Sequence, residues 1–142
     1  MLRKRWEVAL ALGVFIFAGL ACNFSASTAN LSSLKLGKDK DATTETSSFG
    51  ANDTVYAVAT VSNAPGAVKV TGRLVFDQVE GEQSGPVPGL EKTLDLPESG
   101  TATYTFTPPP SGWPKGKYKV EAVMLNDQGE KKDEKSADFS VN

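Results

Sequence analysis

The chain has 142 residues, 15 Lys and Arg against 17 Asp and Glu, no His, and one Cys, for a formal charge of −2. The absence of His removes the commonest general base, the usual nucleophilic triad and most zinc sites. The mild, interspersed charge argues against a nucleic-acid face, and no Gly-rich phosphate loop follows a strand and opens a helix, so no nucleotide is expected either.

The chain begins with a basic head, Arg3, Lys4 and Arg5, followed by an uncharged run from Val8 to Leu20 that ends in Gly19, Leu20, Ala21 and Cys22. A charged head, a short apolar stretch and small residues at its end make an export signal. The run is short for a membrane-spanning helix, which needs about 20 apolar residues. Cys22, directly after a small residue, resembles the lipobox of bacterial lipoproteins, in which the cysteine is lipidated and becomes the mature N-terminus. The family usually has Leu three places before the Cys; here Gly19 and Leu20 stand exchanged. Gly19 and Ala21 also suit ordinary signal-peptide cleavage. The resemblance implies an acyl or diacylglycerol lipid (palmitate-type chains) on Cys22, no other cofactor, and anchorage at about 0.8 kcal/mol per buried CH₂. Asn23 after the cysteine implies the outer membrane in a cell that has one.

Removal of residues 1–21 leaves 121 residues, enough for one domain with its own core. Three basic residues and one acid leave with the signal, taking the charge from −2 to −4. Residues 22–30 read as the lipidated Cys and a short flexible tether, and 31–142 as the domain. Lys38 to Ser48 reads as a polar loop. Within it, Asp39 and Asp41 are weak calcium-loop candidates, because Lys40 intervenes and no Gly turn is present; no metal is expected.

From Leu31 on, apolar residues alternate with period two between turn signals, the pattern of half-buried antiparallel strands. Leu34 and Leu36 mark a first strand and Val55–Val61 a second. Asn63 to Gly66 forms a turn in which Gly66 is expected to take the positive φ. Val68, Val70, Leu74 and Phe76 follow, then a turn-rich stretch 77–92 expected to be a crossover. Leu94 and Leu96 precede a turn at 97–100. Ala102, Tyr104 and Phe106 alternate with threonines. Tyr118, Val120, Ala122 and Met124 lead to a hairpin at 126–129, and Ala137, Phe139 and Val141 close the chain. The count and spacing predict an all-β fold: a single seven-stranded antiparallel Greek-key sandwich of immunoglobulin type, after an N-terminal signal helix. The last forty residues, with Trp113-Pro114-Lys115-Gly116-Lys117-Tyr118 and Phe139-Ser140-Val141, resemble exported bacterial immunoglobulin-like or fibronectin-III-like modules. That resemblance implies that Tyr118, at the start of the sixth strand, ties a loop across the sandwich bottom.

The acids sit in turns or on the solvent parity of strands, so no enzyme is expected. The candidate binding residues lie in two loops. Glu80, Glu82, Val87 and Leu90 mix apolar and acidic groups within 77–92. Trp113 sits between Pro108–Pro110 and Pro114; it either stacks on a ligand or plugs the sandwich bottom with its N–H on backbone. The run 130–134 reads as a solvated tip. The expected function is a lipid-anchored, extracytoplasmic, non-catalytic binding or structural module of the cell envelope, with the membrane and an envelope protein as partners. The alternative is an accessory subunit of a larger membrane complex that keeps its N-terminal helix.

Overall fold

A computed structural model describes residues 29–142. The expected signal helix, Cys22 and most of the tether 22–30 lie outside the described residues. The described chain forms β1 (Asn30–Gly37), β2 (Ser48–Phe49), β3 (Val55–Ser62), β4 (Val68–Val79), β5 (Gly85–Leu96), β6 (Gly100–Phe106), β7 (Gly116–Asn126) and β8 (Lys131–Val141). They build a three-stranded sheet, β1-β3-β6, and a five-stranded sheet, β2-β8-β7-β4-β5. All neighbours are antiparallel except β2, which runs parallel to β8.

The period-two pattern becomes burial on one face of each strand. Val55, Ala57, Ala59 and Val61 of β3, Val68, Val70 and Leu74 of β4, and Tyr118, Val120, Ala122 and Met124 of β7 form one core with Ala102, Tyr104 and Phe106 of β6. No buried polar or charged residue lies among them. The sheets are also joined by a buried bond, the Tyr104 hydroxyl of β6 donating to the Val70 carbonyl of β4. Burial raises the Tyr104 pKa well above its ordinary value. The Tyr104 ring lies on Gly72, where a Cβ would stand 2.7 Å from ring carbons, so only glycine fits this position in mid-strand.

Five features differ from the sequence expectation. Eight strands are present among the described residues, not seven: β2 is two residues long, hidden at the end of a polar stretch, and its one apolar residue, Phe49, is 2% exposed. In β1 the register shifts between Leu31 and Ser33, so Leu31 and Leu36 are buried while Leu34 is half-buried. The positive φ of the 63–66 turn falls on Asn63 (58°), not on Gly66; asparagine tolerates this region through local hydrogen bonding. The stretch 77–92 is not a crossover. Its ends are strand, with Val79 closing β4 and Gly85 opening β5, leaving only a short connection. Pro86 and Pro88 misled because proline belongs on an edge strand, where a missing N–H faces solvent, and β5 is such an edge. The charged run is not all tip. β8 begins at Lys131, and Asp133 is half-buried and accepts the Leu31 amide at 2.8 Å.

Candidate functional site

The lower end of the sandwich is built around Tyr118. Antiparallel register puts Phe76, Tyr118 and Phe139 in one row across β4, β7 and β8. Tyr118 stacks on Phe139 (centroids 5.1 Å, 11°), tilts against Phe76 (5.7 Å) and meets Trp113 edge-on (6.1 Å). Phe49 adds an edge-to-face contact to Phe139 at 5.2 Å. Such pairs contribute about 0.5–1.5 kcal/mol beyond area burial. The Tyr118 hydroxyl donates to the Pro114 carbonyl four residues upstream, which pins the β6–β7 loop to its own strand. Burial, with a smaller contribution from the Glu82 charge, pushes the Tyr118 pKa up to about 12.

Trp113 is a plug. It is 5% exposed; its amide donates to the Ala51 carbonyl at 2.7 Å and its indole Nε1 to the Asp53 carbonyl at 2.8 Å. The β6–β7 loop is thereby clamped to the β2–β3 turn. That turn is held in turn by the Asp53 carboxylate, which accepts the Gly50 amide at 2.6 Å and an ion pair from Lys38 at 3.3 Å. These bonds, the Gly50 amide first, hold the Asp53 carboxyl below its ordinary value. Gly112 reaches the clamp with φ +84° and a Cβ position 3.1 Å from the Ala51 carbonyl oxygen, so a side chain there would strain both the backbone and the contact.

Trp113 also lines an open cleft of about 390 Å³. The other lining residues are Phe76, Val87, Pro88 and Leu90 of β4 and β5, Thr107, Pro109, Ser111, Gly112 and Pro114 of the β6–β7 loop, and Glu82 of the β4–β5 turn. The structure therefore brings together four sequence candidates, Trp113, Val87, Leu90 and Glu82. Val87 and Leu90 are half-buried and Glu82 is exposed. Glu80 is separate: it lies in the β4–β5 turn, where its amide donates to the Lys115 carbonyl at 3.1 Å, and it does not line the cleft. Cys22 lies outside the described residues. Sequence reasoning placed Phe76 in the core and did not assign Thr107 and Pro109 to the site. Phe76 stands on the core parity of β4 and is only half-buried, so it both packs against the core and lines the cleft.

Away from this cleft, Asp39 accepts the Thr43 amide at 3.1 Å and the Thr43 hydroxyl at 2.8 Å. The hydroxyl bond is the main reason its pKa falls below the ordinary value. These bonds close the polar loop on itself. Among the described residues no three acidic or thiol groups converge to hold a metal.

No protein-family model matches the chain, and no curated protein does. Solved structures do. A stretch of Bacteroides uniformis β-glucuronidase 2 is similar over 79% of this chain and 14% of that one, with TM-score 0.51 and 14% identity. The PmoD soluble domain from Methylocystis matches over 77% of this chain and 89% of its own, with TM-score 0.44 and 14% identity. A Niemann-Pick type C2 protein from the Japanese carpenter ant covers 82% and 94%, with TM-score 0.46 and 13% identity. At such identities the likeness is one of fold alone, and this chain spans only a small part of the glucuronidase.

Proposed function

We propose that the protein is a lipid-anchored, extracytoplasmic, non-catalytic binding or structural module of a bacterial cell envelope, carried on an immunoglobulin-like Greek-key sandwich. The observation that carries the anchor is Cys22 at the end of an uncharged run behind a basic head. β1 begins at Asn30, eight residues later, so the sandwich rides close to the bilayer. The immunoglobulin-like assignment is supported by the strand order, in which β3 and β6 face β4 and β7 in the opposite sheet, and by the Tyr118 bond to Pro114, a tyrosine-corner arrangement. The Trp113 cleft is the binding surface in this reading: it offers apolar walls, hydroxyls and a single carboxylate. Asn23 favours the outer membrane where one exists.

Intact-mass analysis of the membrane-extracted protein tests the anchor. The expected result is loss of residues 1–21 and added acyl mass on Cys22, with Cys22→Ser blocking processing or releasing the protein. A second reading is an accessory subunit that keeps its N-terminal segment; the exchanged Gly19 and Leu20 weaken the lipobox match on which the first reading rests. It requires an intact Met1 and indifference to Cys22→Ser.

A further inference from the structure

The sheet edges are unequally protected. A strand edge exposes unpaired N–H and C=O groups, which proteins blunt with prolines, charges, bulges or shortness. β5 carries Pro86, Pro88, Gly89 at φ +79°, Glu91, Lys92 and Asp95. β1 carries the charged Lys35 and a register shift after Leu31, and β2 is two residues long. β6 has none of these devices. Its seven residues, Gly100–Phe106, contain no proline and no charge, and its register with β3 is unbroken. It ends the order β1-β3-β6, so one side is unpaired. Thr101, Thr103 and Thr105 are exposed while Ala102, Tyr104 and Phe106 are buried.

Beside this edge runs a furrow of about 290 Å³ between Gly89–Lys92 of β5 and Thr103–Phe106 of β6. Leu90 lines both this furrow and the Trp113 cleft. The two hollows therefore meet the same side chain, and Thr107 and Pro109, which follow β6 in the chain, line the cleft. Glu82 is the sole charge lining the cleft end and makes no ion pair among the described residues.

From this unpaired edge and the two hollows beside it we infer that β6 takes up an extended peptide of a partner protein as an added strand, with a lysine or arginine side chain of that peptide entering the Trp113 cleft toward Glu82. The inference rests on the binding-module reading. Main-chain bonds to β6, which at about 3.4 Å per residue is roughly 24 Å long, supply affinity; the cleft, which receives one side chain, supplies selectivity. The cleft suits a side chain with a long apolar stem and a cationic tip: Val87, Leu90 and Trp113 meet the stem, and Glu82 meets the charge. A second copy of this chain fits less well, because β6 carries no basic residue to offer Glu82.

The test uses the full chain with Trp6→Phe, which leaves Trp113 as the only tryptophan and makes its emission a direct reporter of the cleft. The probes are eight-residue threonine–valine peptides with a single arginine at each position in turn, and a matching set with glutamate. At least one arginine peptide is expected to bind tenfold or more tighter than its glutamate twin and to shift Trp113 emission. Glu82→Gln, on an exposed turn, should bring the two within about twofold. Backbone N-methylation of the bound peptide on alternate residues should abolish binding in one of the two alternations. Equal affinity for the two sets, an N-methylated peptide that binds undiminished in both alternations, or quenching of Trp113 by an oligosaccharide such as laminaribiose but by no peptide would each overturn the inference. Loss of peptide binding with acylated Cys22 intact refutes the peptide alone. Absence of acylation with peptide binding intact refutes the anchor alone.

Discussion

Gly72→Ala probes the contact between Gly72 of β4 and the Tyr104 ring of β6, one of the places where the two sheets meet. An ideal Cβ at Gly72 would lie 2.7 Å from Tyr104 Cδ1 and Cε1 and 2.8 Å from Cδ2, about 0.8 Å inside the ~3.5 Å optimum for carbon pairs at the nearest atoms. The ring has little room to retreat, since Tyr104 is 3% exposed and its hydroxyl is held by the Val70 carbonyl. Overpacking of this kind costs about 1–3 kcal/mol, and the lower chain entropy of alanine in the unfolded state returns about 0.4–1 kcal/mol. The expected net loss is about 1–2 kcal/mol, read as a shift in urea midpoint at constant m-value by Trp113 emission in a Trp6→Phe chain. Tyr104→Phe releases the ring from Val70, at about 0.5–1.5 kcal/mol for the lost bond. In that background the penalty of Gly72→Ala should shrink, giving a coupling of about 0.5 kcal/mol or more. A neutral or stabilising Gly72→Ala would refute the reasoning, because it would mean the ring is not fixed against β4.

Other outcomes follow from the lower end of the sandwich. Trp113→Ala should destabilise by about 3–5 kcal/mol, since it empties the plug and frees the β6–β7 loop; calorimetry reads this directly. Gly116→Ala should cost about 1–3 kcal/mol from backbone strain and more from contact, because φ is +147° and a Cβ would stand 2.3 Å from the Gln78 carbonyl oxygen. The Tyr118 pKa is raised from 10.0 to about 12, so its contribution is full below pH 10 and is lost as pH rises through about 12. Tyr118→Phe should therefore flatten the alkaline limb of the stability–pH curve while costing about 0.5–1.5 kcal/mol at neutral pH. The Asp53 pKa is lowered from 3.8, so its contribution is present above 3.8 and lost as pH falls below it. Asp53→Asn should remove that acid-side dependence in a urea-midpoint series from pH 5 to 2.

Strand positions were readable wherever one face is buried, because burial of one face imposes period two. β3, β4, β6 and β7 follow that pattern, with Tyr104 and Tyr118 on the core parity. β5 was half hidden, since an edge strand exposed on most positions has no reason to alternate cleanly, and Pro86, Pro88 and Gly89 read as turn. β2 was invisible because two residues cannot show a period. The candidate site was legible as composition, with an acidic-apolar stretch and a tryptophan among prolines. Its assembly was not, because Glu82, Leu90 and Trp113 are brought to one cleft by the packing of one sheet on the other. The same packing separates Glu80 from the cleft, although it stands two residues from Glu82.

The sequence by itself determined an all-β chain with its core in alternating positions and an apolar N-terminal run ending at Cys22, because each is a local pattern of side chains. Only the tertiary structure decided which strands are edges, that the edge strand β6 is the one without proline, charge or bulge, and that Trp113 has its indole N–H bonded to Asp53 and lines a cleft. Edges and clefts are relations between segments distant in the chain, and their energies come from contacts that no short window of sequence contains.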